Sequence, residues 1–165
     1  MVPDIDFELT KPVPVAQETK DKAVAEVRDL KKILAVESAA VETYKQLLRK
    51  FPDFKGLNDL KEIMQEHKKA VEFWKTQLRS KDIHVKDTSG AWSNVVATLS
   101  EVENLGTHSP VFQELKLGEE QELFKYEELV HNNKVNFQSI SFIKNICLDQ
   151  QRKHLAVLDG LMELH

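Results

Sequence analysis

Apolar residues recur at alternating intervals of three and four in four long stretches of this chain. The first reads Val27-Leu30-Leu34-Glu37-Val41-Tyr44-Leu48 and the second Leu57-Leu60-Met64-His67-Val71-Trp74-Leu78. The third reads Phe112-Leu115-Glu119-Glu122-Tyr126-Leu129, and the fourth Phe137-Ile140-Lys144-Cys147-Gln151-His154-Leu158-Leu161. Residues spaced in this way share one face of an α-helix, so each stretch predicts an amphipathic helix whose seam faces a core. Polar side chains interrupt every seam: Glu37, His67, Glu119 with Glu122, and Gln151 with His154. An isolated buried carboxylate is costly. Carboxylates and imidazoles converging from four helices therefore point to a shared metal site.

Helix breakers place the ends of these stretches. The first helix is expected from about Ala16 to Lys50, before Pro52, and the second from Leu57, after Gly56, to about Ser80. Residues 81–109 are too long for a tight connection, and they contain a short amphipathic piece, Trp92-Val95-Val96-Leu99-Val102, closed by Gly106. Ser109-Pro110 supplies an N-cap and a first-position proline for the third long helix. His131-Asn132-Asn133-Lys134 reads as a turn, with the fourth helix running from about Asn136 nearly to the last residue. Short connections make the first pair and the last pair antiparallel, joined by a long crossover carrying the minor helix. Residues 1–15, with Pro3, Pro12 and Pro14, read as an extended or disordered N-terminal arm, and residues 16–165 as one helical domain.

Composition removes function classes without naming one. With 5 glycines and 5 prolines in 165 residues, breakers are scarce and long helices are favoured. The net charge of -4 lacks the basic excess of a nucleic-acid binder. A single cysteine excludes an intramolecular disulfide and a thiolate metal cluster. No leader-like run occurs, nor the ~18 apolar residues of a membrane span, so a cytoplasmic protein with no membrane partner is expected. The chain has no glycine-rich phosphate loop, nucleophile elbow or Cys-x-x-Cys pair. Cys147 reads as a small hydrophobe, and His84, His108, His131 and His165 read as solvent groups.

The polar seam residues follow the helix order of a carboxylate-bridged dimetal bundle, in which two helices each give a glutamate and two others a Glu-x-x-His pair. Residues at i and i+3 sit one turn apart on one face, so such a pair can grip neighbouring ions. On these residues the chain resembles the ferritin-like superfamily, the rubrerythrin type in particular, over roughly residues 20–163. Its stretch from Gly118-Glu119-Glu120 to Tyr126 is similar to the Gly-Glu-Asp and following tyrosine of bacterial ferritin-like domains. The resemblance implies an all-α, ferritin-like, up-down four-helix bundle with a short helix in the long crossover between helices two and three. It also implies metal ligands at Glu37, His67, Glu119, Glu122 and His154. Oxidative or peroxide chemistry is the activity it implies; the spacing assigns no turnover.

The chain departs from that pattern at two positions. The second helix reads Met64-Gln65-Glu66-His67 and the fourth Gln151-Arg152-Lys153-His154, so both bridging glutamates are replaced. Methionine is a poor ligand for a hard cation, and a glutamine carbonyl brings no charge. The remaining charge suits one ion of iron, manganese or zinc better than two. That ion is expected on Glu37, Glu119 or Glu122, His67 and His154, with Gln151 a further candidate. Glu62 and Glu66 are expected to reach the core only if the helix rotates Leu60 and Met64 out of it; Glu120 reads as a surface residue. Tyr44 and Tyr126 stand within reach of the seam carboxylates. The competing reading is a metal-free polar layer in a helical interaction protein, which forms a homodimer or docks a protein partner through its N-terminal arm. Apolar residues beside the seams (Ile33, Val36, Ala40, Phe73, Phe124, Ile143 and Leu155) would then cover the minor helix or form the dimer face.

Overall fold

The computed structural model describes residues 15–78, 90–106, 109–132 and 135–163, with side chains from Lys20 onward, and every regular element among them is helical. Helix α1 spans Val15–Lys50, α2 Leu57–Leu78, α3 Ala91–Glu101 and α4 Pro110–Asn132. The last stretch is continuous: α5 (Phe137–Phe142) passes through a π-helical turn (Ile143–Cys147) into α6 (Leu148–Glu163). Residues 1–14 of the expected arm, the end of the second helix near Ser80, and His84, His108 and His165 lie outside the described residues, while Val15 already belongs to α1. No helix among the described residues is long and apolar enough to cross a membrane.

The helix starts follow local chemistry. Pro110 opens α4, and the Ser109 hydroxyl accepts the Val111 N–H at 3.3 Å. Asn136 caps α5 by accepting the Ser139 N–H at 2.8 Å. Its own amide Nδ2 donates to Glu26 of α1 at 2.7 Å, which ties the start of the last helix to the start of the first. The minor helix ends at Glu101, with Val102 extended as its C-cap, five residues before Gly106.

Two apolar clusters hold the helices together. One joins Leu30, Leu34, Trp74, Tyr126, Ile143 and Cys147. The other joins Leu47, Leu60, Phe112, Leu115, Leu158 and Leu161 with Trp92, Val95 and Leu99 of α3. The early part of α1 thus meets the late part of α2, and the late part of α1 meets the early part of α2. The pair α4 and α5–α6 runs antiparallel by the same test. Complete burial of one such leucine is worth about 1.5–3 kcal/mol, so the clusters carry most of the packing energy. Between them lies a layer of buried polar residues, Glu37, His67, Glu119, Glu122, Gln151 and His154, all at most 2% exposed.

Helix α3 covers two of the apolar residues beside the first seam. Val36 and Ala40 of α1 are buried in the cluster that contains Trp92, Val95 and Leu99. Trp92 lies over Gly118 of α4, where an added Cβ would come within 2.9 Å of the indole ring. Glycine at 118 is what lets α3 approach α4 so closely. Phe73 stacks on Phe142, with centroids 3.8 Å apart. Phe124, in contrast, is 65% exposed.

The expected seams need correction at two ends. Val27 is exposed, so the buried face of α1 begins at Leu30. In the last helix Phe137 is 84% exposed and Lys144 is exposed, while Ser139 and Ile143 are buried. The π-helical turn is the reason. It inserts one extra residue, so upstream of Cys147 the buried positions fall at 143 and 139 instead of 144 and 140.

Candidate metal centre

Each residue of the polar layer is fixed by the seam of its helix, and all but Glu122 join one hydrogen-bonded cluster around His67. Nδ1 of His67 lies 2.6 Å from Oε2 of Glu37, and Nε2 lies 2.9 Å from Oε1 of Glu119. Glu122 Oε2 is 3.3 Å from the same Nδ1. On the far side of Glu119, its Oε2 lies 3.2 Å from Nδ1 of His154 and accepts the Gln151 amide at 2.7 Å. The two imidazole rings stand 4.9 Å apart. Five of the six expected residues therefore meet as carboxylates and imidazoles, while Gln151 turns its amide donor towards Glu119.

Tyrosines hold two of the three seam carboxylates. Tyr44 donates to Glu119 Oε1 at 2.7 Å, and Tyr126 donates to Glu37 Oε1. Burial, then the charge of Glu119, pushes the Tyr44 hydroxyl well above its ordinary range; burial, then Glu37, does the same for Tyr126. Both phenols therefore stay protonated donors. Cys147 is buried beside Tyr126, and burial, then the charge of Glu37, raises its thiol, so it packs as a small hydrophobe. Trp92 closes one side of the layer, its ring edge-on to His67 at 6.0 Å and tilted against Tyr44 at 5.9 Å.

The charges within the layer are strongly unequal. Burial alone would raise the Glu119 carboxyl, but the charges and hydrogen bonds of His67 and His154 outweigh it and hold the group well below the carboxylate range. Burial alone would lower His67, yet Glu119, Glu122 and Glu37 together raise it well above 6.5. Glu122 moves the other way from Glu119: burial, then repulsion from Glu37, raises it well above 4.5. The contrast follows from the partners. Glu119 is met by Tyr44, His67, His154 and Gln151, whereas neither oxygen of Glu122 makes a hydrogen bond although the residue is completely buried. The 3.3 Å approach to His67 is within ion-pair distance but outside hydrogen-bond geometry.

Glu66 overturns an expectation. It reaches the layer with Leu60 and Met64 still buried, its Oε2 lying 2.7 Å from Nε2 of His154 and its Oε1 3.3 Å from Lys153. No rotation of α2 is needed, because α6 packs on the flank of α2 that carries Glu66, and the long side chain leans across. Glu62 remains exposed and pairs with Lys153 at 3.0 Å. Glu120 and His131 are exposed, as read from the sequence.

Ligand-type atoms draw together in two places, at Glu37, His67 and Glu122 and at His67, Glu119 and His154, each set within 4.8 Å. His67 belongs to both, facing one with Nδ1 and the other with Nε2. A neutral imidazole has a single free lone pair, so it can serve an ion on one side only. No protein-family model, curated protein or solved structure matches this chain.

Proposed function

We propose that this protein is a metal-binding, ferritin-like four-helix bundle that holds one divalent ion of iron, manganese or zinc on Glu37, His67 and Glu122. The observation that carries the reading is the Glu122 carboxylate, completely buried and without a hydrogen-bond partner. An orphaned buried carboxylate costs stability unless a cation completes it. Two carboxylates and a neutral imidazole balance a dication, and this donor set suits those three metals. Glu119 serves instead as the outer partner of His67, accepting from Nε2 and leaving Nδ1 for the ion. A single thiol, protonated and buried, fits a reducing cytoplasmic setting.

The test is metal content. Protein loaded with Fe(II), Mn(II) or Zn(II) and then desalted should retain about one equivalent, and Glu122→Ala and His67→Ala should lose it. Retention by the wild type below about a tenth of an equivalent for all three metals would contradict the proposal.

A second reading has its own support. Glu119 is saturated by protein donors alone, as a purely structural polar layer requires, and Phe124 and Phe137 are exposed at 65% and 84%. On that reading the protein is a metal-free interaction module that self-associates. A concentration-dependent dimer with no metal uptake would favour it.

A further inference from the structure

Both tyrosines of the layer donate to a seam carboxylate, and beside each lies a tryptophan, but only one of the two tryptophans fixes its tyrosine by a hydrogen bond. Trp74 Nε1 donates to the Tyr126 oxygen at 3.1 Å, with the two rings stacked at 6.1 Å. Trp92 packs against Tyr44 by ring contact. The difference has a directional consequence. An indole N–H is a donor only, so the Tyr126 oxygen must be the acceptor of that bond. The single phenolic hydrogen then has to leave in the other direction, towards Oε1 of Glu37. The neighbouring Cys147 sulfur is a weak acceptor and does not compete with a carboxylate.

We infer that Tyr126 and Trp74 are positioning residues of the metal site: the Trp74–Tyr126 pair occupies Oε1 of Glu37 and so turns Oε2, the oxygen 2.6 Å from Nδ1 of His67, towards the ion. Tyr44 has the same chemistry on Glu119, which meets the ion only through His67, and so should affect the ion less. This rests on Glu37, His67 and Glu122 being the ligands. The three side chains involved (Trp74, Tyr126 and Glu37) come from α2, α4 and α1, and each is at most 1% exposed. An arrangement in which three helices jointly set the direction of one hydrogen atom is a demanding way merely to fill a core.

The test compares Tyr126→Phe and Tyr44→Phe, which each delete one hydroxyl and keep the ring, with Trp74→Phe, which deletes the indole N–H along with part of the ring. Cobalt(II) is the probe, because its visible bands report the ligands around it. Tyr126→Phe should bind cobalt about 10–100-fold more weakly than the wild type and shift those bands. Trp74→Phe should shift the bands in the same direction by a smaller amount, and it keeps the inference testable if Tyr126→Phe does not fold. Tyr44→Phe, one step further from the ion, should weaken cobalt binding and shift the bands less than Tyr126→Phe while losing comparable thermal stability. Unchanged cobalt binding in Tyr126→Phe, or an equal loss in Tyr44→Phe, would overturn the inference. Wild-type protein that binds no cobalt would instead overturn the metal reading beneath it.

Discussion

Glu66 and His154 are joined by a 2.7 Å contact between Oε2 and Nε2, although Glu66 sits beside the seam of α2 and not on it. The pair connects the buried layer to solvent, since Glu66 also meets the exposed Lys153. Removing the acceptor leaves a ring nitrogen of His154 without its partner in a nearly closed site. Glu66→Ala should therefore destabilise the metal-free protein by about 1–3 kcal/mol in denaturant unfolding. Glu66→Gln, which keeps an acceptor oxygen, should cost less. Lys153→Met should stay within about 0.5 kcal/mol of the wild type, because exposed ion pairs contribute little.

Glu122→Gln separates stability from binding. The folded protein holds the Glu122 carboxyl well above its unfolded value, so it is neutral where an exposed glutamate would be charged. For a carboxyl raised on folding, stability falls as pH climbs from the unfolded value of about 4.3 towards the folded one. Glutamine resembles the neutral acid and cannot suffer that loss. In metal-free protein the variant should match the wild type in acid and exceed it increasingly as pH rises, by urea titrations across pH 4–9. It should also fail to take up metal. A variant that lost stability at every pH would contradict this assignment.

Glu119 should behave in the opposite sense. Its carboxyl is held low by His67 and His154 against the effect of burial, so its stabilising contribution is present above the unfolded value near 4.3 and is lost as pH falls. The metal-free protein should therefore unfold in acid with a transition that Glu119→Gln makes shallower. An unchanged acid transition in that variant would count against the assignment.

Gly118→Ala tests the wall of the site. The added methyl would come within 2.9 Å of the Trp92 ring, and overpacking of this kind costs about 1–3 kcal/mol. Combined with Trp92→Leu, it should cost less than the two single changes added together, because both act on one contact. Additive costs in thermal unfolding would show that the ring and the methyl do not compete.

The seams of α2 and α4 were legible from Leu60 to Trp74 and from Phe112 to Tyr126, because each is an uninterrupted α-helix whose period carries the burial pattern; Leu57, Leu78 and Leu129 at their ends are only half-buried. The polar layer was legible for the same reason: Glu37, His67, Glu119, Glu122 and His154 all stand where a leucine would. Two features were not. The π-helical turn at Ile143–Cys147 leaves no mark in a three-four reading, and it moved the buried positions to Ser139 and Ile143 and left Phe137 outside. Burying Ile143 where the α-helical period would put Lys144 is the energetic reason for the extra residue. Glu66 was missed because periodicity ranks positions by angle around one helix. Its role depends on which flank of α2 the last helix packs against, and on the reach of a glutamate side chain. The pairing Lys153–Glu66–His154, with two partners one apart on α6, was the signal that could have found it.

The difference between Glu122 and Glu119 was also invisible in sequence. Both lie on one seam, three residues apart, and only the surrounding donors distinguish a satisfied carboxylate from an orphaned one.

The most direct measurement is anomalous diffraction from crystals of the zinc- or manganese-loaded protein. The predicted result is a single peak per chain, between Nδ1 of His67 and the carboxylates of Glu37 and Glu122. A peak between Nε2 of His67, Glu119 and His154, or no peak in fully loaded protein, would contradict it.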